Sequence, residues 1–209
     1  MKREHSTLIY KPEPTLWCEF DGNLNDSSPN NYSPLLLYNN TFQFYNNSSI
    51  IGASNKCVRY TLDKFTDTGD FSLYERLFPT SYASTAFLFT CERVSNTNNY
   101  ACVNCYAGSN GTVGLMVRQY DNDSNHFASD LGISLTLNTW NEVLFIRKNG
   151  VLYAYKDGDL KSQQIFTYNM FNQNMPCFDI SNSYLYQYGN RYFRGYIDEF
   201  KFWHNTAIL

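Results

Sequence analysis

Residues 141–160 read NEVLFIRKNGVLYAYKDGDL, a pattern that predicts three consecutive antiparallel strands. The first two apolar runs meet at Asn149-Gly150, a dipeptide that accepts the two positive φ angles of a type I′ hairpin turn. Asp157-Gly158 then turns the chain into a third strand. Since two-residue turns join antiparallel neighbours, this meander predicts antiparallel β structure in the middle of the chain.

Short strand-like segments continue on both sides of the meander, separated by loops rich in Asn, Ser and Gly. No amphipathic helical period persists for three turns, and turn signals recur about every 8–12 residues, as in sandwiches and barrels. We therefore expect one all-β domain over 16–209, preceded by an N-terminal arm over 1–15. The predicted strands cover 15–20, 35–38, 41–45, 56–61, 71–78, 85–92, 100–106, 112–120, 141–148, 151–156, 160–166, 177–180, 184–188 and 193–204.

Composition supports β structure and excludes several classes of protein. The 209 residues include 18 Tyr, 16 Phe and 3 Trp, and aromatic side chains favour half-buried pleated surfaces. A net charge of −3, from 16 basic and 19 acidic residues, argues against a nucleic-acid-binding protein. No apolar stretch reaches the roughly 18 residues of a transmembrane helix, and no secretory signal is recognised. We therefore expect a virion or an intracellular assembly rather than classical secretion.

The six cysteines are predicted to be free thiols packed in the core. Their even number permits three disulfides, but the absence of a recognised signal favours the reduced state. Two of them lie three residues apart on a predicted strand and so point to opposite faces, and no second pair follows at zinc-finger spacing. The cysteines are Cys18, Cys57, Cys91, Cys102, Cys105 and Cys177.

Segments at the beginning, middle and end of the chain carry a family resemblance. They are LWCEFDGNLNDSS at 16–28, the hairpin within 137–160, and FRGYIDEFKFW at 193–203, which contains Gly-x-Ile-Asp-Glu. In this order they resemble the opening strand, central hairpin and closing strand of the laminin-G-like, concanavalin A-like lectin jelly rolls. The resemblance implies an all-β, two-sheet antiparallel jelly-roll sandwich whose first and last strands are neighbours. That family includes lectins, adhesion modules, virion attachment proteins and structural subunits.

The resemblance also implies a calcium site between the opening loop and the closing aspartate. Asp21 and Asp198 would supply carboxylates, and Asn23 and Asp26 would add side-chain or backbone oxygens, the ligands that hard cations prefer. The alternative is structural: Asp21 and Asp26 cap turns, and Asp198 bonds to loop amides. Calcium is the expected cofactor, and the capping alternative stays open.

A carbohydrate platform is predicted near the end of the chain. Tyr184, Tyr186 and Tyr188 alternate along a predicted strand and so share one face, and Arg191 follows closely. Sugar rings offer C–H faces to flat aromatic rings and hydroxyl groups to planar polar groups. The alternative is that these tyrosines cover a sheet edge or contact a protein partner.

The pattern of acidic residues argues against catalysis. Retaining glycoside hydrolases on this fold carry Glu-x-Asp-x-x-Glu on one strand, and Glu19-Phe20-Asp21 is not followed by the second glutamate. Asp198 and Glu199, adjacent on a strand, are expected to point to opposite faces. The three tryptophans, Trp17, Trp140 and Trp203, are expected to pack in or near the core.

The predicted function is a non-catalytic, lectin-like module that recognises a glycan or a protein partner in a virion or surface assembly. One alternative is an accessory structural subunit of a large intracellular complex, attached through the N-terminal arm. A further alternative is a glycoside hydrolase.

Overall fold

The computed structural model describes residues 12–37, 42–46, 49–52, 56–62, 69–82, 85–92, 102–118, 126–168, 177–182 and 191–208. Strands occur throughout these residues. They are β1 (Leu16–Cys18), β2 (Pro34–Leu37), β3 (Ile50–Ile51), β4 (Cys57–Thr61), β5 (Phe71–Pro79), β6 (Thr85–Glu92), β7 (Cys102–Gly108), β8 (Thr112–Arg118), β9 (His126–Ser134), β10 (Asn141–Lys148), β11 (Val151–Lys156), β12 (Asp159–Ile165), β13 (Cys177–Ile180) and β14 (Gly195–His204).

The strands form two antiparallel sheets that pack face to face. The first sheet has the order β1-β14-β5-β10-β11-β12, with the short β3 also paired to β14, and the second has the order β2-β4-β13-β6-β7-β8-β9. β1 lies beside β14, with Leu16 opposite Phe202 and Cys18 opposite Phe200. The predicted two-sheet jelly roll with neighbouring first and last strands is confirmed.

The central meander has the predicted turns. β10 pairs with β11 as far as Lys148 opposite Val151, and Asn149 and Gly150 between them have φ angles of 50° and 75°. Asp157 and Gly158 in the next turn have φ angles of 51° and 84°. Local turn chemistry and apolar alternation agree here, so this part of the sequence specifies its own fold.

The strand predictions differ from the structure at three elements. The two-residue strand β3, which pairs with β14 over Ile50 and Ile51, is not predicted. β9 was not predicted, because its polar residues and Gly132, at a φ of 67°, mask the alternation that buries Leu131 and Ile133. In the segment predicted over 41–45, the described residues 42–45 form no strand, and Phe44 makes an isolated bridge to Ile50. The segment 184–188 lies outside the described residues.

The core between the sheets is rich in phenylalanine. Phe178 packs against Phe200 and Phe89 packs against Phe200, with ring centroids 5.3 and 5.7 Å apart, and such edge-on pairs contribute about 0.5–1.5 kcal/mol beyond burial. Five cysteines are buried, which confirms the predicted core packing for them; the side chain of Cys102 is not described. The five are Cys18, Cys57, Cys91, Cys105 and Cys177.

Residues 12–15, which were assigned to the arm, lie along β14. The Thr15 amide donates to the Phe202 carbonyl oxygen at 2.7 Å, and the Trp203 indole donates to the Pro12 carbonyl oxygen at 2.8 Å. Residues 1–11 lie outside the described part of the chain. Within the described ranges, no helix is long and apolar enough to cross a membrane.

Candidate functional site

A cavity of about 490 Å³ opens on the outer face of the first sheet. Its volume falls within the roughly 300–1,000 Å³ of small-molecule sites. Four carboxylates, a guanidinium and an indole line it, so it combines hydrogen-bonding groups with a flat apolar surface. The lining residues of this polar cavity are Glu19, Asp21, Arg76, Trp140, Asp198 and Glu199.

The loop after β1 brings Asp21 to the polar cavity. Phe20 has a φ of 59° although its ring is buried in the core, so the chain turns sharply and Asp21 is exposed. The Gly22 amide closes this turn by donating to the Phe20 carbonyl oxygen at 2.8 Å. The Tyr60 hydroxyl, from the second sheet, donates to the Leu24 carbonyl oxygen at 2.7 Å. A bulky residue in this conformation costs about 1–3 kcal/mol, and its consequence here is the position of Asp21.

A β-bulge in β14 places Asp198 and Glu199 on the same face. Ile197 pairs with Leu77 and Glu199 pairs with Arg76, so Asp198 is the extra residue with no partner opposite it. Bulges of this kind redirect side chains and bend the strand. The expectation that the two acids point to opposite faces is therefore wrong, because both line the polar cavity.

Arg76 connects the acidic and aromatic parts of the polar cavity. Its Nη1 donates to Oδ2 of Asp198, and its guanidinium carbon lies 4.7 Å from the centroid of the Trp140 ring. Partial burial raises the pKa of Asp198 above its ordinary value; Arg76 lowers it, and nearby Glu199 and Asp21 raise it further. Burial has the largest effect, because the pair lies in a cavity wall rather than in open solvent.

Two further carboxylates are oriented by donors outside the Arg76 pair. The Lys201 ammonium lies 2.5 Å from Oε1 of Glu199, and the Trp17 indole donates to the same oxygen at 3.1 Å. Glu19 accepts a hydrogen bond from the Ser27 hydroxyl at 2.7 Å. These contacts fix the directions in which the two carboxylates point.

Asp26, a predicted calcium ligand, caps the opening loop instead. Its buried carboxylate accepts hydrogen bonds of 2.7–2.9 Å from the Trp17 amide, the Ser28 amide, the Ser28 hydroxyl and the Tyr32 amide. Four donors occupy the available lone pairs of a carboxylate. Asp26 therefore has the structural role that the sequence left as its alternative.

The predicted calcium ligands do not form one site. Asn23 donates to the Asp21 carbonyl oxygen and accepts from the Asn25 amide, so its side chain serves the turn. Of the four, only Asp21 and Asp198 line the polar cavity, and Asp198 is paired with Arg76. Among the described residues, no group of three or more His, Cys, Asp or Glu could hold a metal ion. The residues present do not fit the implied calcium site, and calcium binding stays an untested prediction.

The predicted carbohydrate platform falls largely outside the described residues. Tyr184, Tyr186 and Tyr188 are among those left undescribed, whereas Arg191 is exposed and its carbonyl oxygen accepts from the Phe87 amide at 2.7 Å. This platform stays a prediction.

Core packing is confirmed for one of the three tryptophans. Trp203 is 8% exposed, whereas Trp17 and Trp140 are half-buried on the outer face of the first sheet. The cavity residues missed from the sequence are Glu19, Arg76, Trp140 and Glu199. Alternation along β5 could have placed Arg76 on the outer face, but nothing local indicated that Trp140 lies beside it.

Family membership follows from a sequence match. A family model described as the concanavalin A-like lectin/glucanases superfamily matches residues 52–207. The chain belongs to this superfamily, and the resemblance in its three segments is confirmed. A comparison of the sequence with characterised proteins gives no match.

Several solved structures share the fold at low sequence identity. Domain 4 of AbnA, an extracellular GH43 arabinanase from Geobacillus stearothermophilus solved in complex with arabinotriose, has a TM-score of 0.76 and 16% identity, with 96% of each chain covered. The binding domain of botulinum neurotoxin serotype D has a TM-score of 0.64 and 14% identity over 91% of this chain and 48% of that chain. The receptor-binding domain of botulinum neurotoxin type G has a TM-score of 0.66 and 14% identity over 94% and 49%. At these identities the likeness concerns the fold.

Proposed function

We propose that the protein is a non-catalytic recognition module that binds an uncharged glycan in the polar cavity. The observation that carries this proposal is the stacking of Arg76 on Trp140 beside Asp198. An indole face suits the C–H face of a sugar ring, and the neighbouring guanidinium and carboxylates suit its hydroxyl groups. A few well-placed polar groups beside apolar surface are typical of small-ligand sites.

The charge of the polar cavity favours a ligand without negative charge. Among the described residues, four carboxylates line it and Arg76 is the single lining cation, while Lys201 is paired with Glu199. Like charges brought together without compensation weaken binding. Glycans that carry sialic or uronic acids are therefore expected to bind more weakly than neutral ones.

The superfamily and its solved members support a carbohydrate ligand. The similar arabinanase domain is solved with arabinotriose, an uncharged oligosaccharide. Cell entry of botulinum neurotoxin type C, another similar structure, depends on interaction with two ganglioside molecules, which are acidic glycolipids that the charge of this cavity disfavours. These facts belong to those proteins, and they make glycans the first ligands to test on this chain.

The hydrogen bonds around the acids favour binding over hydrolysis. Glycoside hydrolases need one carboxyl group that holds a proton and a second at a defined distance. Asp198 is bonded to Arg76, Glu199 to Lys201, and Glu19 to Ser27. These contacts engage the carboxyl oxygens with groups of the protein, which limits their access to a leaving group.

Hydrolysis remains a second candidate because of the bulge in β14, which brings Asp198 and Glu199 into one cavity. Incubation with neutral oligosaccharides, followed by detection of new reducing ends, separates the two functions. Intact oligosaccharides are expected. New reducing ends that disappear in an Asp198→Asn variant would establish an enzyme.

A glycan array followed by titration calorimetry tests the proposal. We expect a signal from neutral glycans on the array. Trp140→Ala is expected to lower the affinity for the selected glycan by about tenfold or more. Tyr106→Ala, a matched aromatic truncation on the second sheet, is expected to change affinity by less than about twofold. A silent array, or undiminished binding by Trp140→Ala, would reject the proposal.

The assembly in which such a module works is a separate proposal. Membership of a virion or surface assembly, and attachment through the N-terminal arm, rest on the sequence-based expectations. Purification from the source and identification of co-purifying chains test them. A partner that binds Trp140→Ala as well as the original protein, together with a silent array, would favour the structural-subunit alternative.

A further inference from the structure

A second cavity, of about 300 Å³, lies on the same face of the first sheet. Leu144 of β10 and Tyr155 of β11 are opposite each other in its floor. The segment after β14 folds back over this cavity, where the Ile208 amide donates a hydrogen bond to the Ser72 hydroxyl at 3.0 Å. Its lining is mostly apolar. The residues of this apolar groove are Tyr74, Glu142, Leu144, Ile146, Tyr155, Gly158 and Ile208.

The apolar groove and the polar cavity share a wall. Glu142, which lines the groove, lies directly opposite Arg76, which lines the cavity, and opposite residues have Cβ atoms about 4.5–5.5 Å apart. Tyr74 precedes Arg76 by two residues and so points to the same face. Its phenol is within electrostatic range of Glu142 on one side and of Glu199 and Asp198 on the other.

We propose that the two cavities form one site, which takes a glycan bearing an apolar substituent. The inference rests on the proposed function: the sugar lies in the polar cavity, and an alkyl chain attached to it passes Tyr74 into the apolar groove. A second sugar ring would need partners for its hydroxyl groups. Among the described residues, the polar side chains of the groove are the Glu142 carboxylate and two phenols, beside Leu144 and Ile208.

The size of the apolar groove suits a short chain. Its volume of about 300 Å³ lies at the lower end of ligand pockets and corresponds to about ten water molecules at roughly 30 Å³ each. Each methylene group buried there is expected to improve affinity by up to about fourfold, from about 0.8 kcal/mol per group. A sugar without such a chain would leave the groove unused.

Calorimetry with the methyl, butyl and octyl glycosides of the sugar selected by the array tests this inference, at concentrations below micelle formation. Affinity is expected to rise along the series by about tenfold or more, with a more negative heat-capacity change. Leu144→Gln is expected to remove most of this gain while leaving the methyl glycoside within about twofold. Leu35→Gln, on an exposed leucine of β2 in the second sheet, is the matched control and should keep the gain.

The outcomes separate the two proposals. Equal affinities for the three glycosides overturn this inference and leave the proposed function standing. A silent array overturns both. A gain that survives Leu144→Gln and also Ile208→Ser, a change in the chain end rather than in a strand, places the alkyl chain elsewhere and overturns the shared site.

Discussion

Each sheet of the protein carries an arginine–aspartate pair, and the two pairs differ in their surroundings. In the second sheet, Arg59 and Asp179 make two parallel hydrogen bonds of 2.6 Å, and their side chains are 10% and 0% exposed. In the first sheet, Arg76 and Asp198 are 38% and 17% exposed. Arg59–Asp179 is therefore called the closed pair, and Arg76–Asp198, which lines the polar cavity, is called the open pair.

Burial and bond geometry determine which pair stabilises the fold and which can meet a ligand. The paired bonds of Arg59 to Asp179 satisfy both carboxylate oxygens in a site without access. Arg76 donates to Asp198 through Nη1, and its Nε has no hydrogen-bond partner among the described residues. The open pair therefore keeps hydrogen-bonding groups that can meet a ligand, whereas the groups of the closed pair bond to each other.

The largest effect is expected from breaking the closed pair. Asp179→Asn removes the carboxylate charge that the buried Arg59 side chain faces, and removal of one partner of a buried pair costs about 3–5 kcal/mol. The matched change Asp198→Asn is expected to cost no more than about 1 kcal/mol, because exposed pairs contribute little. Chemical denaturation measures both. Equal losses would show that the two pairs are energetically alike.

A third carboxyl group, Glu75, lies on β5 next to Arg76 but faces the core. Neither of its carboxylate oxygens has a hydrogen-bond partner among the described residues, and burial raises its pKa to about 8. The thiol of Cys105 lies within electrostatic range of Glu75, and its pKa is raised by burial and by the Glu75 charge.

Stability is therefore expected to fall as the pH rises from about 5 to 8. In this window the unfolded chain has lost the Glu75 proton while the folded chain retains it, so folding becomes less favourable by on the order of 3 kcal/mol. Glu75→Gln should remove this dependence, which denaturation at several pH values would reveal. A pH profile unaltered by Glu75→Gln would assign the slope to other groups.

Calcium is expected to leave the unfolding temperature of the original protein unchanged. Asp198 already pairs with Arg76, and Asp26 is occupied by four donors. Arg76→Ser would free Asp198 beside Asp21 and is expected to create a small calcium-dependent rise, since ligands of the folded state stabilise it. Thermal unfolding with calcium or with chelator measures this. A rise in the original protein that Asp198→Asn abolishes would restore the calcium site.

The smallest expected effect on stability comes from Arg76→Ala, at about 1 kcal/mol or less. The guanidinium is more than a third exposed, so water replaces much of what it loses. Thermal unfolding measures the change, and Arg59→Ala is its counterpart at the closed pair. A large loss of stability in the Arg76→Ala variant would show that the open pair stabilises the fold.

The fold was predictable because its signals are local. Asn149-Gly150 and Asp157-Gly158 specify the meander through the φ angles they accept, and the opening and closing segments specify neighbouring first and last strands. The sequence also predicted that Asp21 and Asp198 lie close together, and both line the polar cavity. The remainder of the polar cavity depends on pairing register between distant strands, which places Arg76 beside Trp140, and no local pattern reports such a register.

The bulge at Asp198 shows the same limit. Strict alternation assigns Asp198 and Glu199 to opposite faces, and one extra residue in the pairing reverses that assignment. Likewise, nothing in the opening segment indicates that Phe20 takes a left-handed conformation. Both features determine where the acidic side chains of the polar cavity point. Both arise from tertiary packing, which overrides the two-residue alternation of side chains along a strand.

The most direct test is a calorimetric titration of the array-selected glycan against the original protein and Arg76→Ala, whose fold is checked by its unfolding free energy. If the open pair is the centre of a binding site, affinity falls by about tenfold or more while stability changes by about 1 kcal/mol or less. Unchanged affinity in a folded Arg76→Ala variant would contradict a binding site in the polar cavity.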